Sequence, residues 1–184
     1  MVATFGTGNV APGCRRTEQG VGEFIDVPGG LFRIEVGNSL ERHRAETLLT
    51  KEPETIAWID RFDAGDVFYD IGANVGIYSL YAAATKSVEV VSIEPYYKNF
   101  YRLVGNIVEN QFESIVPLAV GLGPTTGVQV LEVPDTRFGS SGSQLGQAVD
   151  DSGAAFEPAA RVAVAAFALD DLVRFLQLRT PTHV

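Results

Sequence analysis

Cysteine is nearly absent from the sequence, since Cys14 is the single cysteine among 184 residues. One cysteine cannot form a disulfide within the chain, and such sparse use is typical of a reducing compartment. No apolar run approaches the roughly 18 residues of a membrane-spanning helix. Residues 1–20 also lack the apolar core of a signal peptide. These absences predict a cytoplasmic protein without a membrane partner.

Basic residues are scarce as well. The chain has 14 Lys and Arg residues against 23 Asp and Glu residues, and its formal net charge is −9. Without a basic cluster, this balance disfavours a nucleic acid or an anionic membrane as the main partner. The two histidines, His43 and His183, stand far apart, and a lone histidine is more often structural than catalytic. We therefore expect no metal site and assign no catalytic base.

The order of elements begins with a polar, glycine-rich segment. Residues 1–20 show no hydrophobic periodicity, which predicts a flexible arm, and residues 21–184 have a length suited to one domain. Two short β-type runs, 23–27 and 31–36, flank Pro28-Gly29-Gly30, a turn signal that predicts a β-hairpin. Helices are expected over residues 42–50 and from Pro53, whose missing N–H costs nothing at a helix start.

The middle of the chain alternates between strand and helix patterns. Residues 67–70, 88–93 and 115–120 are short apolar runs typical of buried strands. Between the last two, apolar residues recur at helical spacing from Phe100 to Val108. Connections of this length imply parallel strands joined by right-handed crossovers. We therefore predict an α/β, Rossmann-like, doubly wound sheet that binds its ligand at the carboxyl ends of the strands.

Two acidic residues, Asp70 and Glu94, stand at neighbouring strand ends of this predicted sheet. A dinucleotide-binding turn would read G-x-G-x-x-G and place a pyrophosphate at a helix start. Here an acid precedes differently spaced glycines, Gly72 and Gly76, and it would repel a pyrophosphate. An acid at this point suits the ammonium of S-adenosylmethionine, while Glu94 suits the ribose hydroxyls. The glycines would let the backbone approach the ligand.

These residues fall within motifs that resemble a known family. The motifs are Lys51-Glu52-Pro53-Glu54-Thr55, Asp70-Ile71-Gly72-Ala73-Asn74-Val75-Gly76, Tyr78-Ser79-Leu80, Ile93-Glu94-Pro95 and Leu169-Asp170-Asp171-Leu172. Together they resemble the FkbM family of S-adenosylmethionine-dependent methyltransferases over roughly residues 51 to 173. The resemblance implies a class I methyltransferase fold and O-methylation of a small-molecule hydroxyl, on a sugar or a secondary metabolite. It also implies a cofactor site formed by Asp70, Gly72, Ala73, Asn74, Gly76 and Glu94, with Glu52 and Thr55 closing over the methionine end.

The sequence departs from the family pattern at its end. In the family, the Leu-Asp-Asp-Leu helix leads into a further strand with a Lys-Ile-Asp-Val type of motif, whereas this sequence stops at His183-Val184. We therefore expect a partial domain that is incomplete at the C-terminus, with an open edge on the strand at residues 67–70. Self-association through that edge is an expectation, and catalysis by these residues alone is in question.

Two other functions remain open from the sequence. The first is a non-catalytic remnant or fragment that keeps the cofactor pocket. The second is a nicotinamide-dependent oxidoreductase, against which the glycine spacing and Asp70 both count.

Overall fold

The protein is described here by a computed structural model that covers residues 14–17, 20–150 and 152–184. Its elements are β1 (Cys14–Thr17), β2 (Gly20–Asp26), β3 (Arg33–Val36), α1 (Ser39–Glu46), α2 (Pro53–Ile59), β4 (Val67–Ile71), α3 (Ile77–Thr85), β5 (Glu89–Ile93), α4 (Tyr97–Asn110), β6 (Ile115–Leu118), β7 (Gly121–Leu122), β8 (Gly127–Val133), β9 (Gln144–Leu145), β10 (Ala160–Phe167) and α5 (Leu169–Leu176). Most of the predicted flexible arm, residues 1–13 and 18–19, lies outside the described residues.

The predicted hairpin is present and belongs to a three-stranded antiparallel sheet of order β1-β2-β3. Gly29 and Gly30 turn the chain at φ values of +87° and +66°, which residues with a Cβ rarely adopt. The backbone N–H of Gly30 donates to the carbonyl of Val27 at 2.9 Å and closes the turn.

The centre of the molecule is a parallel sheet of order β4-β5-β6. In its register Asp70 lies beside Ser92, and Ile71 lies beside Ile93. α3 connects β4 to β5, and α4 connects β5 to β6, as expected for parallel neighbours. The predicted α/β architecture is therefore confirmed, and the carboxyl ends of β4 and β5 meet at one edge of the sheet.

Alternate residues of the central strands are buried on opposite faces of this sheet. Phe68 and Val90 pack in the larger apolar cluster, which includes Leu80 of α3 and Leu103 of α4. On the other face, Tyr69 and its neighbours pack in a second cluster, which includes Leu172 of α5. Because helices cover both faces, the central strands read as nearly continuous apolar runs in the sequence.

A buried ion cluster joins the antiparallel sheet and α1 to α4. The guanidinium of Arg102 pairs with Glu41 through Nε and Oε1 at 2.6 Å, and it also pairs with Glu35. All three side chains are almost completely buried. Breaking such a cluster is costly because the remaining charges lose their partner but stay out of water. Arg102 therefore fixes the position of α1 beside the central sheet.

The outer edge of β4 is partly covered, which corrects the expectation of a fully open edge. His183 forms a parallel bridge with Phe68, and the N–H of Tyr69 donates to the His183 carbonyl at 2.9 Å. The imidazole of His183 is stacked on Phe62, with the ring centroids 3.9 Å apart. Its Nε2 lies 2.9 Å from a carboxylate oxygen of Asp66. The end of this chain thus supplies part of the missing neighbour of β4.

A third sheet, of order β7-β10-β8-β9, follows the central sheet in the chain. β10 is antiparallel to β8 and parallel to β7. The segment between β8 and β9 reaches back to the carboxyl ends of β4 and β5. Within the described residues, no helix has the length and apolar character that crossing a membrane requires.

Candidate functional site

The turn after β4 is held by its own backbone. The N–H groups of Gly72 and Ala73 both donate to the Ile93 carbonyl, at 2.9 and 3.0 Å. The N–H of Asn74 donates to Oε2 of Glu94 at 2.8 Å. The N–H of Val75 donates to Oδ1 of Asn74 at 2.9 Å, and that of Gly76 donates to the Ala73 carbonyl at 2.8 Å. These donors are already used, so the turn offers no ring of free N–H groups to a pyrophosphate.

Asp70 is buried at the end of β4 and is bonded on one side to α3. Its Oδ2 accepts hydrogen bonds from the N–H of Ser79 at 3.1 Å and from Ser79 Oγ at 2.5 Å. The Ser79 hydroxyl also lies 2.6 Å from the hydroxyl of Ser92 on β5. Burial raises the pKa of Asp70, and the bonds from Ser79 oppose this effect. In the described part of the chain, no hydrogen bond is made to Oδ1, which remains able to bind a donor.

Glu94, at the end of β5, is only 5% exposed. Its two oxygens accept separate hydrogen bonds, Oε2 from the N–H of Asn74 and Oε1 from the N–H of Tyr96, each at 2.8 Å. Burial raises the pKa of Glu94 to about 7, although these two bonds act in the opposite direction. Each carboxylate oxygen has a second lone pair, so Glu94 can still accept a pair of hydroxyl groups. The nearby charge of Asp70 also contributes to the raised pKa.

The two glycines of the motif have different surroundings. Gly72 is exposed at a φ of +75°, and a Cβ built on it would meet nothing within 4 Å. Gly76 is buried at a φ of +92°, and its Cβ would lie 2.5 Å from Cδ1 of Leu103 and 2.9 Å from Cδ1 of Leu80. Gly72 thus leaves room beside the backbone for a ligand. Gly76 is explained by close packing of the turn against α4, a reason that the sequence does not reveal.

Glu52 interacts with Tyr78, which lies on the first turn of α3. A hydrogen bond from the Tyr78 hydroxyl is the main cause of the lowered pKa of the Glu52 carboxyl. The pKa of Tyr78 lies well above its ordinary value. Burial is the largest cause, and the nearby Glu52 carboxylate is the second. Thr55 lies on the first turn of α2, where its N–H donates to the Glu52 carbonyl at 3.1 Å. Within the described residues, its side chain makes no hydrogen bond to the strand-end carboxylates.

A loop formed by residues 135–140 covers the strand ends; its segment, 134–160, has the length of a functional or mobile loop, but its composition does not reveal these contacts. The Ser140 carbonyl accepts hydrogen bonds from Nδ2 of Asn74 at 2.6 Å and from Nδ2 of Asn99 at 3.0 Å. The Gly139 carbonyl accepts one from Nε of Arg44 at 2.8 Å. Ser140 is itself buried, although the composition of this segment resembles a linker. Through these contacts, one loop connects the turn after β4 with α4 and α1.

Three tyrosines, Tyr96, Tyr97 and Tyr101, follow Glu94 in the sequence. Tyr96 is buried in a cluster with Leu131 and Val133, and its hydroxyl donates to the Thr136 carbonyl at 3.2 Å. Tyr97 and Tyr101 lie on the exposed face of α4. Tyr96 is therefore explained by packing.

No protein-family model matches the chain, and no match is found among curated proteins. Several solved structures align with part of it. A SAM-dependent methyltransferase from Agrobacterium tumefaciens aligns over 61% of this chain at 18% identity and a TM-score of 0.40. A SAM-dependent methyltransferase from Aquifex aeolicus aligns over 47% at 14% identity and a TM-score of 0.39. A tRNA methyltransferase from M. jannaschii aligns over 56% at 19% identity and a TM-score of 0.38.

The chain spans 38%, 48% and 33% of these three structures, in the same order. At these identities and TM-scores the alignments concern part of the fold and carry no argument about chemistry. The arrangement of Asp70, Gly72 and Glu94 is therefore the feature that indicates a function.

Proposed function

We propose that this chain is the cofactor-binding part of a class I S-adenosylmethionine-dependent methyltransferase. The observation that carries the proposal is the pair of buried carboxylates, Asp70 and Glu94, at the adjacent carboxyl ends of β4 and β5. Glu94 would accept hydrogen bonds from the ribose hydroxyls, and the unbonded oxygen of Asp70 would receive the ammonium group. The open space beside Gly72 would admit the ligand against the backbone.

The bonding of the turn separates this cofactor from a nicotinamide dinucleotide. A pyrophosphate needs unpaired N–H groups at the turn, whereas the N–H groups of residues 72–76 already have acceptors within the chain. The acidic side chain of Asp70 would also repel a phosphate placed at the strand end. A cationic ammonium group needs no unpaired N–H groups, and Asp70 would attract it. The turn therefore favours the amino-acid tail of a methyl donor.

The proposed reaction is transfer of the sulfonium methyl group to a hydroxyl oxygen, with the family resemblance to FkbM methyltransferases as its support. The acceptor oxygen attacks the methyl carbon in line, the carbon–sulfur bond breaks, and the hydroxyl proton leaves to a base or to water. Holding the two reactants in this alignment can supply much of the rate. A sugar or secondary-metabolite hydroxyl suits the net charge of −9 better than an RNA acceptor does.

Neither histidine is placed to act as the catalytic base. His43 is exposed on α1. His183 lies at the outer edge of β4, where its ring contacts Phe62 and Asp66. The proposal therefore assigns cofactor binding to this chain and leaves the base unassigned.

Isothermal titration calorimetry of the whole chain with S-adenosylmethionine, S-adenosylhomocysteine and NAD tests the proposal. We expect both adenosyl ligands to bind and NAD to give no binding heat. Glu94→Ala is expected to weaken the adenosyl ligands by at least about tenfold, because each hydrogen bond to a charged group contributes roughly 1.5–3 kcal/mol. Glu89→Ala, an exposed acid on the same strand, is the control.

Circular dichroism of both variants checks that the fold is retained. Binding of NAD alone would sink the methyltransferase proposal. An unchanged affinity in Glu94→Ala would show that the ribose assignment is wrong. Incubation with S-adenosylmethionine labelled on its methyl group, together with candidate sugar hydroxyls, then separates a catalytic chain from one that only binds the cofactor.

A further inference from the structure

Arg44 on α1 is a half-buried cation that forms no salt bridge with the described side chains. Its Nε donates to the Gly139 carbonyl at 2.8 Å, which fixes the direction of the side chain. Within the part of the chain whose side chains are described, no hydrogen bond or salt bridge of its two terminal nitrogens is found. Every other arginine there has a salt bridge except the exposed Arg61. The two terminal nitrogens of this partly buried guanidinium are therefore available to bind an anion.

The surroundings of Arg44 place these free nitrogens next to the candidate cofactor site. Arg44, Lys51 and Tyr78 line one cleft, together with Thr47, Leu48 and Ile77. Tyr78 stands immediately before Ser79, whose N–H and hydroxyl bind Asp70. Glu52 and, more weakly, Glu94 are also close enough to act electrostatically on Arg44. The cleft thus opens between α1 and the start of α3, and the loop that accepts the Arg44 bond also bonds Asn74 in the turn after β4.

The other cation of this cleft is already neutralised. Nζ of Lys51 lies 3.1 Å from Oε1 of Glu52, and the Glu52 carboxyl also accepts a hydrogen bond from Tyr78. Arg44 is therefore the cation of the cleft that is left to meet an anion. A guanidinium presents two parallel N–H groups that match a carboxylate.

We propose that Arg44 binds the carboxylate of the methyl donor's amino-acid tail through its two terminal nitrogens. This assignment rests on the proposed function, because it names the group that would hold the tail opposite Asp70. An α-amino acid carries an ammonium and a carboxylate on one carbon, so its site needs an anion and a cation close together. Asp70 bonds Ser79 of α3, and Arg44 shares a cleft with the preceding residue, Tyr78, so these two residues would supply the two charges along the start of α3. The bond to Gly139 aims the guanidinium before the ligand arrives, which reduces the ordering cost of binding.

Calorimetric titration with S-adenosylmethionine and with decarboxylated S-adenosylmethionine tests this assignment. The second ligand keeps the sulfonium, the ribose, the adenine and the ammonium, and it lacks only the carboxylate. The wild-type chain is expected to bind the complete ligand at least about tenfold more tightly, given the strength of charge-assisted bonds. Arg44→Gln is expected to lose that preference by weakening the complete ligand, while the affinity for the decarboxylated ligand stays within about twofold.

Arg42→Gln is the matched control, because Arg42 lies on the same helix and pairs with Glu23 and Glu46 on the exposed side. This variant should keep the wild-type preference. Arg44→Lys retains the positive charge and supplies a second test if Arg44→Gln does not fold; it should recover part of the preference.

The possible results distinguish a failure of the carboxylate assignment from a failure of cofactor binding itself. If Arg44→Gln weakens both ligands equally or weakens neither, the carboxylate assignment is overturned while cofactor binding stands. If the wild-type chain binds neither ligand, the proposed function fails and this inference fails with it. Preference for the carboxylate in the wild type, lost in Arg44→Gln and kept in Arg42→Gln, supports the assignment.

Discussion

The buried carboxyl of Glu94 predicts a measurable dependence of stability on pH. Burial raises its pKa from the ordinary 4.5 to about 7 in the folded chain, and unfolding returns the group to water. Between those pH values the folded chain binds more protons than the unfolded chain does. The free energy of unfolding must therefore fall as the pH rises through this window. Below the ordinary pKa the contribution of Glu94 is fully present, and above pH 7 it is lost.

The magnitude follows from the two pKa values. Two-state linkage with values of 4.5 and about 7 gives a loss of about 2.5 kcal/mol of unfolding free energy between pH 5 and pH 8. Urea titration at both pH values measures it. Because other groups also titrate, the quantity to follow is the difference between the wild-type chain and Glu94→Gln, which cannot ionise at this position.

The glutamine variant loses one of the two bonds that Glu94 accepts, from Asn74 and Tyr96, because its NH₂ group cannot accept. Its stability should therefore be lower at pH 5 but less dependent on pH than that of the wild type. Glu89→Gln, on the exposed start of the same strand, should keep the wild-type pH dependence. Parallel pH profiles for the wild type and Glu94→Gln would refute the argument that burial raises this pKa.

Three further substitutions test the packing of the turn after β4 and of the buried ion cluster. Gly76→Ala should cost about 2–4 kcal/mol, because its Cβ would overlap Leu103 at a left-handed φ, whereas Gly72→Ala should cost only about 1 kcal/mol. Urea titration of the pair measures this, and equal losses would contradict the separate roles of the two glycines. Arg102→Met should cost about 3–5 kcal/mol, since it leaves two buried carboxylates without their cation. Thermal unfolding measures that loss, and a variant as stable as the wild type would show that the ion cluster contributes nothing.

Hydrophobic periodicity was sufficient to predict the central sheet. The run at residues 67–70 became β4, and the pattern between Phe100 and Val108 became the middle of α4. These signals are local, because a buried parallel strand needs consecutive apolar residues and an amphipathic helix needs a repeat near 3.6. The meeting of Asp70 and Glu94 at one sheet edge then follows from topology alone. For this reason the sequence could place both acids without any knowledge of their bonding partners.

The polar contacts around the site could not be predicted in the same way. Asn110 illustrates the reason: it is the last residue of α4, and its side chain bonds both the N–H and the carbonyl of Arg33, at 2.8 and 2.7 Å. Arg33 is the first residue of β3 and lies far from Asn110 in sequence. Asn74 and Ser140 are a similar pair, since Ser140 belongs to a segment without any period. Single long-range hydrogen bonds leave no repeated pattern in a sequence, so they emerge only from the folded arrangement.

The covered edge of β4 shows how far a two-residue contact can alter a prediction made from topology. Thr182 and His183 are too few to produce a strand pattern, yet both their N–H groups reach the Val67 carbonyl, at 2.9 and 3.1 Å. The side chain of His183 strengthens this pairing through its stacking on Phe62. Along a strand, every second residue directs its N–H and carbonyl groups toward the same edge. The next groups on the outer edge of β4 are therefore the carbonyl of Tyr69 and the N–H of Ile71. Ile71 is 47% exposed. The amino-terminal half of the edge is thus protected by the chain itself. The half next to Asp70 is where a further strand could pair, and such a strand would reach the candidate cofactor site directly.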